Sequence, residues 1–263
     1  MTTERARREP APGADQPVAE LIDVRKRFDG NEVLRGVSLT VPHGETMVIM
    51  GGSGSGKTVT LRLIAGLIRP TSGIVRVFGR RLDNLGEEEL LPIRRRMGYV
   101  FQGAALFDSL SVHENVAYPL REHTSLREAE IRERVLHFLS LVGLGPDVLN
   151  LLPSELSGGM RKRVGIARAL AQEPEILLFD EPTAGLDPTN AKMVAELIVQ
   201  LQSGVCDAAV VVTHDLELTR TVADRVAILI DGQFSALGPR DEVLASDNPA
   251  VQAFLAGEAR VTT

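Results

Sequence analysis

Residues 51–58, GGSGSGKT, combine glycines, a lysine and a hydroxyl in a spacing that can hold phosphate. The stretch fits the pattern G-x-x-x-x-G-K-[ST], with an apolar, strand-like run before it and a helix-like run after it. Backbone N–H groups of such a loop form an anion nest, and the helix N-terminus adds positive potential. The expected phosphate-binding residues are Gly51, Gly52, Ser53, Gly54, Ser55, Gly56, Lys57 and Thr58. Lys57 is expected at the β- and γ-phosphates and Thr58 at Mg²⁺; the alternative is a flexible surface turn.

Two carboxylates follow an apolar run in ILLFDE, residues 176–181. The run predicts a buried strand, and ligands of open α/β sheets bind at the carboxyl ends of the strands. Asp180 is expected to hold Mg²⁺ through water, and Glu181 to polarise a water molecule for in-line attack on the γ-phosphorus. A solvated acid pair is the alternative, which the four apolar residues and the upstream phosphate loop disfavour.

Six short motifs occur in a characteristic order. The phosphate loop is followed by VFQ (100–102), LSGGM (156–160), ILLFDE (176–181), AGLD (184–187) and VVTHD (211–215). This series resembles the ATP-binding cassette (ABC) ATPases over residues 20–240. The resemblance implies ATP and Mg²⁺ as ligands, hydrolysis of ATP to ADP and phosphate, and active sites shared between the two copies of a homodimer.

The LSGGM motif is the part that the resemblance assigns to the opposite subunit. Ser157 and Gly159, with Gly158 between them, are expected to contact the γ-phosphate bound by the partner copy. A Ser-Gly-Gly turn at a helix N-terminus offers N–H donors and a positive dipole end. Met160 stands where many relatives have glutamine, so any contact of that glutamine with the nucleotide is missing here.

Four further residues receive roles from the resemblance. Gln102 is expected to contact Mg²⁺ or the attacking water and to sense a transmembrane partner, and His214 to contact the γ-phosphate and orient the water. Asp187 is expected to couple the two sites across the dimer. Phe28 lies where the family usually has an aromatic residue that stacks on adenine, although core packing is an alternative for a lone aromatic at a strand end.

Composition excludes several classes of protein. Hydrophobic residues make up 44% of the 263 and charged residues 24%, as in ordinary globular domains. The net charge of −6 argues against nucleic acid as a partner. The single cysteine, Cys206, excludes an internal disulfide and borders an apolar run, which indicates a core position. The longest apolar runs are too short for a membrane span, so we expect membrane association only through partners.

The alternation of helical and strand patterns predicts an α/β fold with a mostly parallel sheet. With the resemblance, this becomes a P-loop NTPase with a RecA-like core (20–102 and 166–240), an N-terminal antiparallel β-subdomain and an inserted helical subdomain (103–165). Within the insertion, a helix is expected to start at the cap residue Ser125. Residues 1–19 are expected to be a disordered lead-in without the apolar core of a secretory signal, and residues 241–263 a C-terminal tail.

Three phrases narrow the resemblance further. NVAYPLREHT (115–124), LPSELSGGM (152–160) and PAVQAFLAG (249–257) resemble the ATPases of Mla-type phospholipid transporters, which work with mammalian-cell-entry (MCE) proteins. The implied machine has two copies of this chain beneath two transmembrane permease subunits, at the cytoplasmic face of the inner membrane, with a periplasmic MCE-domain protein. Whether a small STAS-domain subunit joins is left open, and YPLREH can also be a solvated helix start.

Rival functions remain open at the level of sequence. An importer of a small polar solute is the alternative within transporters. A non-transport ABC ATPase acting on DNA or ribosomes would call for coiled coils, two cassettes or a basic face, and none is visible. A P-loop kinase or GTPase does not explain LSGGM or His214.

Overall fold

The computed structural model describes residues 16–257, which form two β-sheets flanked by helices. Within this range the strands are β1 (Ala19–Phe28), β2 (Asn31–Val41), β3 (Thr46–Gly51), β4 (Ser72–Val77), β5 (Arg80–Arg81), β6 (Met97–Val100), β7 (Ile176–Asp180), β8 (Ala208–Thr213), β9 (Arg225–Ile230) and β10 (Gln233–Pro239). The helices are α1 (Lys57–Ile64), α2 (Glu87–Arg94), α3 (Val112–His123), α4 (Glu128–Leu141), α5 (Gly158–Leu170), α6 (Pro188–Gly204), α7 (Leu216–Val222), α8 (Arg240–Leu244) and α9 (Pro249–Leu255).

The larger sheet carries the functional motifs. Its strand order is β10-β9-β3-β8-β7-β6, and all neighbouring pairs are parallel except β10 with β9. Every residue of β3 is buried, because Met47 and Ile49 pack into one core while Val48 and Met50 pack into the other. Burial on both faces explains the continuous apolar runs of these strands, and the mostly parallel sheet predicted from them is present.

The smaller sheet is antiparallel throughout, with the order β2-β1-β4-β5. The N-terminal antiparallel β-subdomain expected from the sequence is therefore present. The end of the predicted lead-in is wrong, because Val18 is fully buried and its N–H donates to the carbonyl of Val41. Residues 1–15 of that lead-in and residues 258–263 of the predicted tail lie outside the described residues.

Helices α3, α4 and α5 make up the region between β6 and β7 and pack on one face of the large sheet. The sequence places the start of α4 wrongly: the helix begins at Glu128, and its cap is Arg127 rather than Ser125. The carboxylate of Glu130 accepts from the backbone N–H of Arg127, and Glu128 and Glu130 place negative charge at the positive end of the helix dipole. This acidic first turn fixes the start of the helix more strongly than the serine upstream.

The loop that leads from β6 into α3 is held by one buried amide. Asn115 is fully buried; its side chain accepts from the N–H of Phe107 and donates to the carbonyls of Phe107, Leu110 and Ser111. With these bonds the amide fixes the loop that follows the VFQ motif. Among the described residues, no helix has the length and apolar character that a bilayer crossing requires.

Candidate active site

Four parallel strands deliver the motifs to one edge of the large sheet. The phosphate loop follows β3, His214 follows β8, Glu181 follows β7, and Gln102 lies just beyond β6. Because β3, β8, β7 and β6 are consecutive neighbours and all parallel, their carboxyl ends meet at this edge. Residues that are up to 163 positions apart in sequence, from Gly51 to His214, thereby reach one site.

The phosphate loop is built around two glycines in the left-handed region. Gly54 has φ +77° and Gly56 has φ +107°, and a Cβ on Gly56 would lie 2.8 Å from a methyl carbon of Leu34. Gly56 also starts α1 without any side-chain cap, so the first N–H groups of that helix have no capping side chain. The loop thus keeps its backbone donors available for an anion.

Lys57 turns inward and binds the loop itself. Its ammonium donates to the carbonyls of Gly51 (2.8 Å) and Gly52 (3.0 Å) and lies 3.4 Å from a carboxylate oxygen of Glu181. The Lys57 side chain is only 7% exposed and that of Glu181 12%. The lysine of the phosphate loop and the expected catalytic base are therefore paired.

Thr58 and Asp180 form the second contact across the site. The Thr58 hydroxyl donates to Oδ1 of Asp180 at 2.8 Å, and the phenol of Tyr99 donates to Oδ2 at 3.2 Å. Burial, together with the negative charge of Asp180, holds the pKa of Tyr99 well above its usual range, so the phenol stays a proton donor to this carboxylate. Tyr99 is a site residue that the sequence analysis did not single out. Its position two residues before Phe101, on the strand that leads into the VFQ motif, could have indicated that it lies near the site.

Glu181 is held from several sides in a strained conformation. Its φ is +46°, which a side-chain-bearing residue rarely adopts. Its N–H donates to the carbonyl of Val212, and its carboxylate Oε2 contacts Nδ1 of His214 at 3.0 Å and accepts from the Thr213 hydroxyl at 3.3 Å. The structure thus brings together the expected base, the expected histidine and a threonine that the sequence did not single out.

Lys162 is a further cation beside this site that sequence reasoning left without a role. It lies on α5 behind the LSGGM motif, is 6% exposed, and donates to the carbonyls of Gln102 and Glu181. Burial lowers its pKa, while the carboxylates of Glu181 and Asp180 act in the opposite direction. Lys162 could have been identified from the sequence by its position, because it is a lysine three residues after Gly159 on the buried face of an amphipathic helix.

The LSGGM residues form the start of α5. Ser157 is the exposed N-cap of α5, and its hydroxyl accepts from the N–H of Met160. Gly158 and Gly159 form the first turn, where Gly159 packs so closely on Asn190 of α6 that a Cβ would lie 2.7 Å from the Asn190 amide carbon. The α5 N-terminus is thus a helix start whose serine cap is exposed and whose second glycine is packed against α6.

Three other expected site residues, Asp187, Gln102 and Phe28, have contacts near their own positions in the fold. Asp187 caps α6 and accepts from the N–H groups of Thr189 and Asn190. The side chain of Gln102 is exposed, and its carbonyl is the group that Lys162 binds. Phe28 is the last residue of β1 and is 41% exposed. The ammonium group of Lys26 lies over its ring, 4.6 Å from the ring centre.

A cavity of about 510 Å³ opens beside the phosphate loop. Gly52, Ser53, Gly54 and Ser55 of the loop and His214 line it, together with residues of β2, the β9–β10 turn and α9. The Ser55 hydroxyl is buried and has no hydrogen-bond partner among the described residues. The other expected site residues do not line the cavity; they are Phe28, Gly51, Gly56, Lys57, Thr58, Gln102, Ser157, Gly158, Gly159, Asp180, Glu181 and Asp187.

Comparison with known sequences identifies relatives across most of the chain. A model of the ABC transporter family matches residues 34–184. The probable ribonucleotide transport ATP-binding protein mkl of Mycobacterium tuberculosis (strain ATCC 25618 / H37Rv) is 42% identical over 238 residues, which are 90% of this chain and 66% of the relative. This chain therefore spans about two thirds of the length of mkl. The intermembrane phospholipid transport system ATP-binding protein MlaF of Escherichia coli (strain K12) is 42% identical over 246 residues, covering 92% and 91% of the two chains.

Comparison with solved structures identifies the fold. A dimeric structure of the ATP-binding cassette MJ0796, in a post-hydrolysis state bound to ADP and Pi, superposes with a TM-score of 0.79 and 35% identity. The superposition covers 84% of this chain and 98% of that one. The α/β fold with an antiparallel subdomain, predicted from the sequence, is confirmed.

Proposed function

This chain belongs to the ABC transporter family, and we propose that it is an ATPase subunit that drives a membrane transporter. One observation carries the proposal: the contact network at the sheet edge. Lys57 lies 3.4 Å from Glu181, Glu181 contacts His214, and Thr58 contacts Asp180. A phosphate loop, a pair of oxygen ligands and a carboxylate with an oriented histidine thus occupy one site, as nucleoside triphosphate hydrolysis requires.

The residues present fit ATP and Mg²⁺. The Ser55 hydroxyl, buried without a partner, and the uncapped start of α1 supply donors for phosphate oxygens. The Thr58 hydroxyl and the Asp180 carboxylate, in contact at 2.8 Å, are the hard oxygen ligands that Mg²⁺ prefers. Bound there, the ion would neutralise negative charge that develops on the phosphate oxygens.

In the proposed reaction, Glu181 takes a proton from a water molecule while the water oxygen forms a bond to the γ-phosphorus. The bond from the γ-phosphorus to the oxygen of ADP breaks at the same time, and the products are ADP and phosphate. His214 and Thr213 hold the Glu181 carboxylate in place for this step. Positioning and charge stabilisation account for most of the rate, because little covalent chemistry falls to the protein.

Lys57 changes partners in this scheme. In the structure its ammonium is bound to two loop carbonyls and to Glu181. A triphosphate in the loop offers stronger, charge-assisted acceptors, so Lys57 turns to the β- and γ-phosphates and releases the Glu181 carboxylate. Arrival of the substrate thereby frees the base that acts on it.

A second copy of this chain completes the site in our proposal. Ser157 is exposed at the start of α5, where it is followed by the half-buried Gly158 and the buried Gly159. The similar cassette MJ0796 was solved as a dimer. We propose that each copy offers this turn to the γ-phosphate bound by the other, and that Asp187 couples the two sites.

The transported substrate in our proposal is a phospholipid or a related hydrophobic molecule. The similarity to MlaF supports this, since that relative is named for intermembrane phospholipid transport and aligns over 91% of its length. The proposed partners are two permease subunits and a periplasmic MCE-domain protein. They would hold the ATPase at the cytoplasmic face of the inner membrane.

A small polar solute is the second candidate, and the name of mkl, a probable ribonucleotide transporter, favours it. Purification of the chain with its permease partners separates the two. Mass spectrometry of the extract is expected to find stoichiometric phospholipid that is retained through washing and released on ATP hydrolysis. Release of a polar solute instead would favour the second candidate.

The ATPase proposal is tested with Glu181→Gln. The variant is expected to bind ATP as the unaltered protein does but to lose at least about 100-fold in turnover, because the amide cannot accept the proton. Glu196→Gln, an exposed acid on α6, is the matched control and is expected to keep full turnover. Unchanged hydrolysis by Glu181→Gln would remove Glu181 from the role of base, and absence of hydrolysis by the unaltered protein with its partners would contradict the function.

A further inference from the structure

Lys162 is a buried cation that the proposed reaction does not use. It lies on the inner face of α5, six residues behind the first residue of the LSGGM motif, with 6% of its surface exposed. An ammonium group loses several kcal/mol of hydration on burial unless it is matched by close acceptors. A core position next to Gly159 and Ile166 on the same helix stripe would ordinarily hold an apolar residue. The contacts of the Lys162 ammonium group must therefore compensate for its burial.

The acceptors of Lys162 are two main-chain carbonyls from neighbouring strand ends. The ammonium donates to the carbonyl of Gln102, just beyond β6, and to the carbonyl of Glu181, just beyond β7, at 3.2 Å in the second case. Because β6 and β7 are adjacent and parallel, both carbonyls lie at the edge where the site is built. One side chain thus ties the LSGGM helix to the Gln102 loop and to the expected base.

The bond to Glu181 falls on a residue whose backbone needs support. A φ of +46° is unfavourable for a residue that carries a side chain. The N–H of Glu181 is fixed by Val212, and its carbonyl accepts from Ala184 and from Lys162. Of these contacts, the one from Lys162 carries a positive charge and is the stronger type. It holds the peptide that aims the Glu181 carboxylate at His214.

We propose that Lys162 is a positioning residue for the hydrolytic step, which fixes Glu181 and the Gln102 loop relative to the LSGGM helix. This inference rests on the ATPase function proposed above. The lysine itself does not touch the reacting atoms.

The test compares Lys162→Met, which keeps the side-chain length but removes the donor, with Lys162→Arg, which keeps donors and charge. The matched control is Lys192→Met on α6, whose side chain is 78% exposed. Lys162→Met is expected to lower kcat for ATP by roughly 30-fold or more, since misplacement by about 1 Å costs about 100-fold. Its dissociation constant for ATP is expected to stay within about threefold, because the phosphate loop is untouched. Lys162→Arg is expected to recover most of the loss, and Lys192→Met to change neither value.

A second measurement is independent of turnover. Hydrogen exchange of the nucleotide-free protein is expected to speed up at the amides of Ala104, Glu181 and Ala184 in Lys162→Met, by about tenfold, and not in Lys192→Met. If Lys162→Met does not fold, Lys162→Gln takes its place, because it removes the positive charge but keeps a polar side chain. At least a fivefold loss of kcat with unchanged ATP affinity is then expected.

The outcomes separate this inference from the function on which it rests. An active unaltered protein together with normal kcat and normal exchange in Lys162→Met, or in the Lys162→Gln replacement, overturns the role of Lys162. An equal loss of kcat and of ATP affinity also overturns it, since that is the pattern of a general packing defect. An inactive unaltered protein contradicts the ATPase proposal, and hydrogen exchange then decides whether Lys162 fixes the two strand ends.

Discussion

The ion pair between Lys57 and Glu181 gives a prediction whose size follows from the structure. The two charged atoms are 3.4 Å apart, and their side chains are 7% and 12% exposed. Removing one partner of a buried pair costs about 3–5 kcal/mol, because the other charge stays buried. Lys57→Met, which also loses two bonds to loop carbonyls, is expected to lower the free energy of unfolding by that amount. Glu181→Gln is expected to cost about 1–3 kcal/mol, since its amide oxygen can still accept from Lys57.

The double variant tests whether the two residues act as a pair. Lys57→Met with Glu181→Gln is expected to be more stable than the sum of the single effects by about 1–3 kcal/mol, because neither buried charge is then left alone. Each kcal/mol changes Tm by roughly 2–4 °C in a chain of this size. The four proteins are compared by urea unfolding without nucleotide, followed by circular dichroism.

An exposed pair on α6 supplies the control cycle. Lys192 and Glu196 lie 3.9 Å apart with side chains 78% and 57% exposed, so their coupling is expected to be at most about 0.5 kcal/mol. The reasoning is refuted if the coupling of Lys57 with Glu181 is as small as that of the control pair. Lys57 would then not be holding the base in the nucleotide-free state.

Two further predictions concern packing. Gly159→Ala is expected to lower the free energy of unfolding by about 1–3 kcal/mol, because the added methyl group overlaps Asn190. In a protein that already carries Asn190→Ala, the same change is expected to cost much less. Urea unfolding of the two single variants and the double variant measures both costs, and equal costs in both backgrounds would contradict the contact. Burial raises the pKa of the Cys206 thiol from 9.0 to about 12, so the thiol is expected to resist a thiol reagent at pH 8 until the protein is unfolded. Because the folded state favours the protonated thiol, its stabilising contribution is complete below pH 9.0 and is lost as the pH rises toward about 12; fast labelling of the folded protein would contradict this burial.

Local pattern was sufficient for the elements that carry the motifs. The run TMVIM predicts a strand buried on both faces, and β3 is fully buried because its residues alternate between two cores. The glycine spacing predicts the turn into α1, where Gly54 and Gly56 have positive φ. Patterns of this kind work because the interactions that decide them lie within a few residues of the chain.

Contacts between distant segments could not be predicted in the same way. No sequence pattern indicates that Lys57 pairs with Glu181, that Tyr99 donates to Asp180, or that Lys162 binds two carbonyls. Each of these depends on which strand ends are neighbours in the sheet. The start of α4 was misplaced for a local reason, since two cap signals compete within a few residues and the acidic one at Glu130 prevails.

The roles that need a second chain stay predictions. The coupling role of Asp187 is one of them, since within one chain this residue caps α6. The docking of Ser157 on the phosphate of the opposite copy is another.

The most direct test of the shared site is the mass of Glu181→Gln in sedimentation velocity, with and without ATP and Mg²⁺. We predict that ATP converts the variant from a monomer of 28.5 kDa to a particle of twice that mass, because hydrolysis no longer reopens the dimer. Adding Ser157→Arg to Glu181→Gln should leave ATP binding intact and keep the protein monomeric. A Glu181→Gln protein that binds ATP yet stays monomeric, or a dimer that forms equally well with Ser157→Arg, would contradict the account.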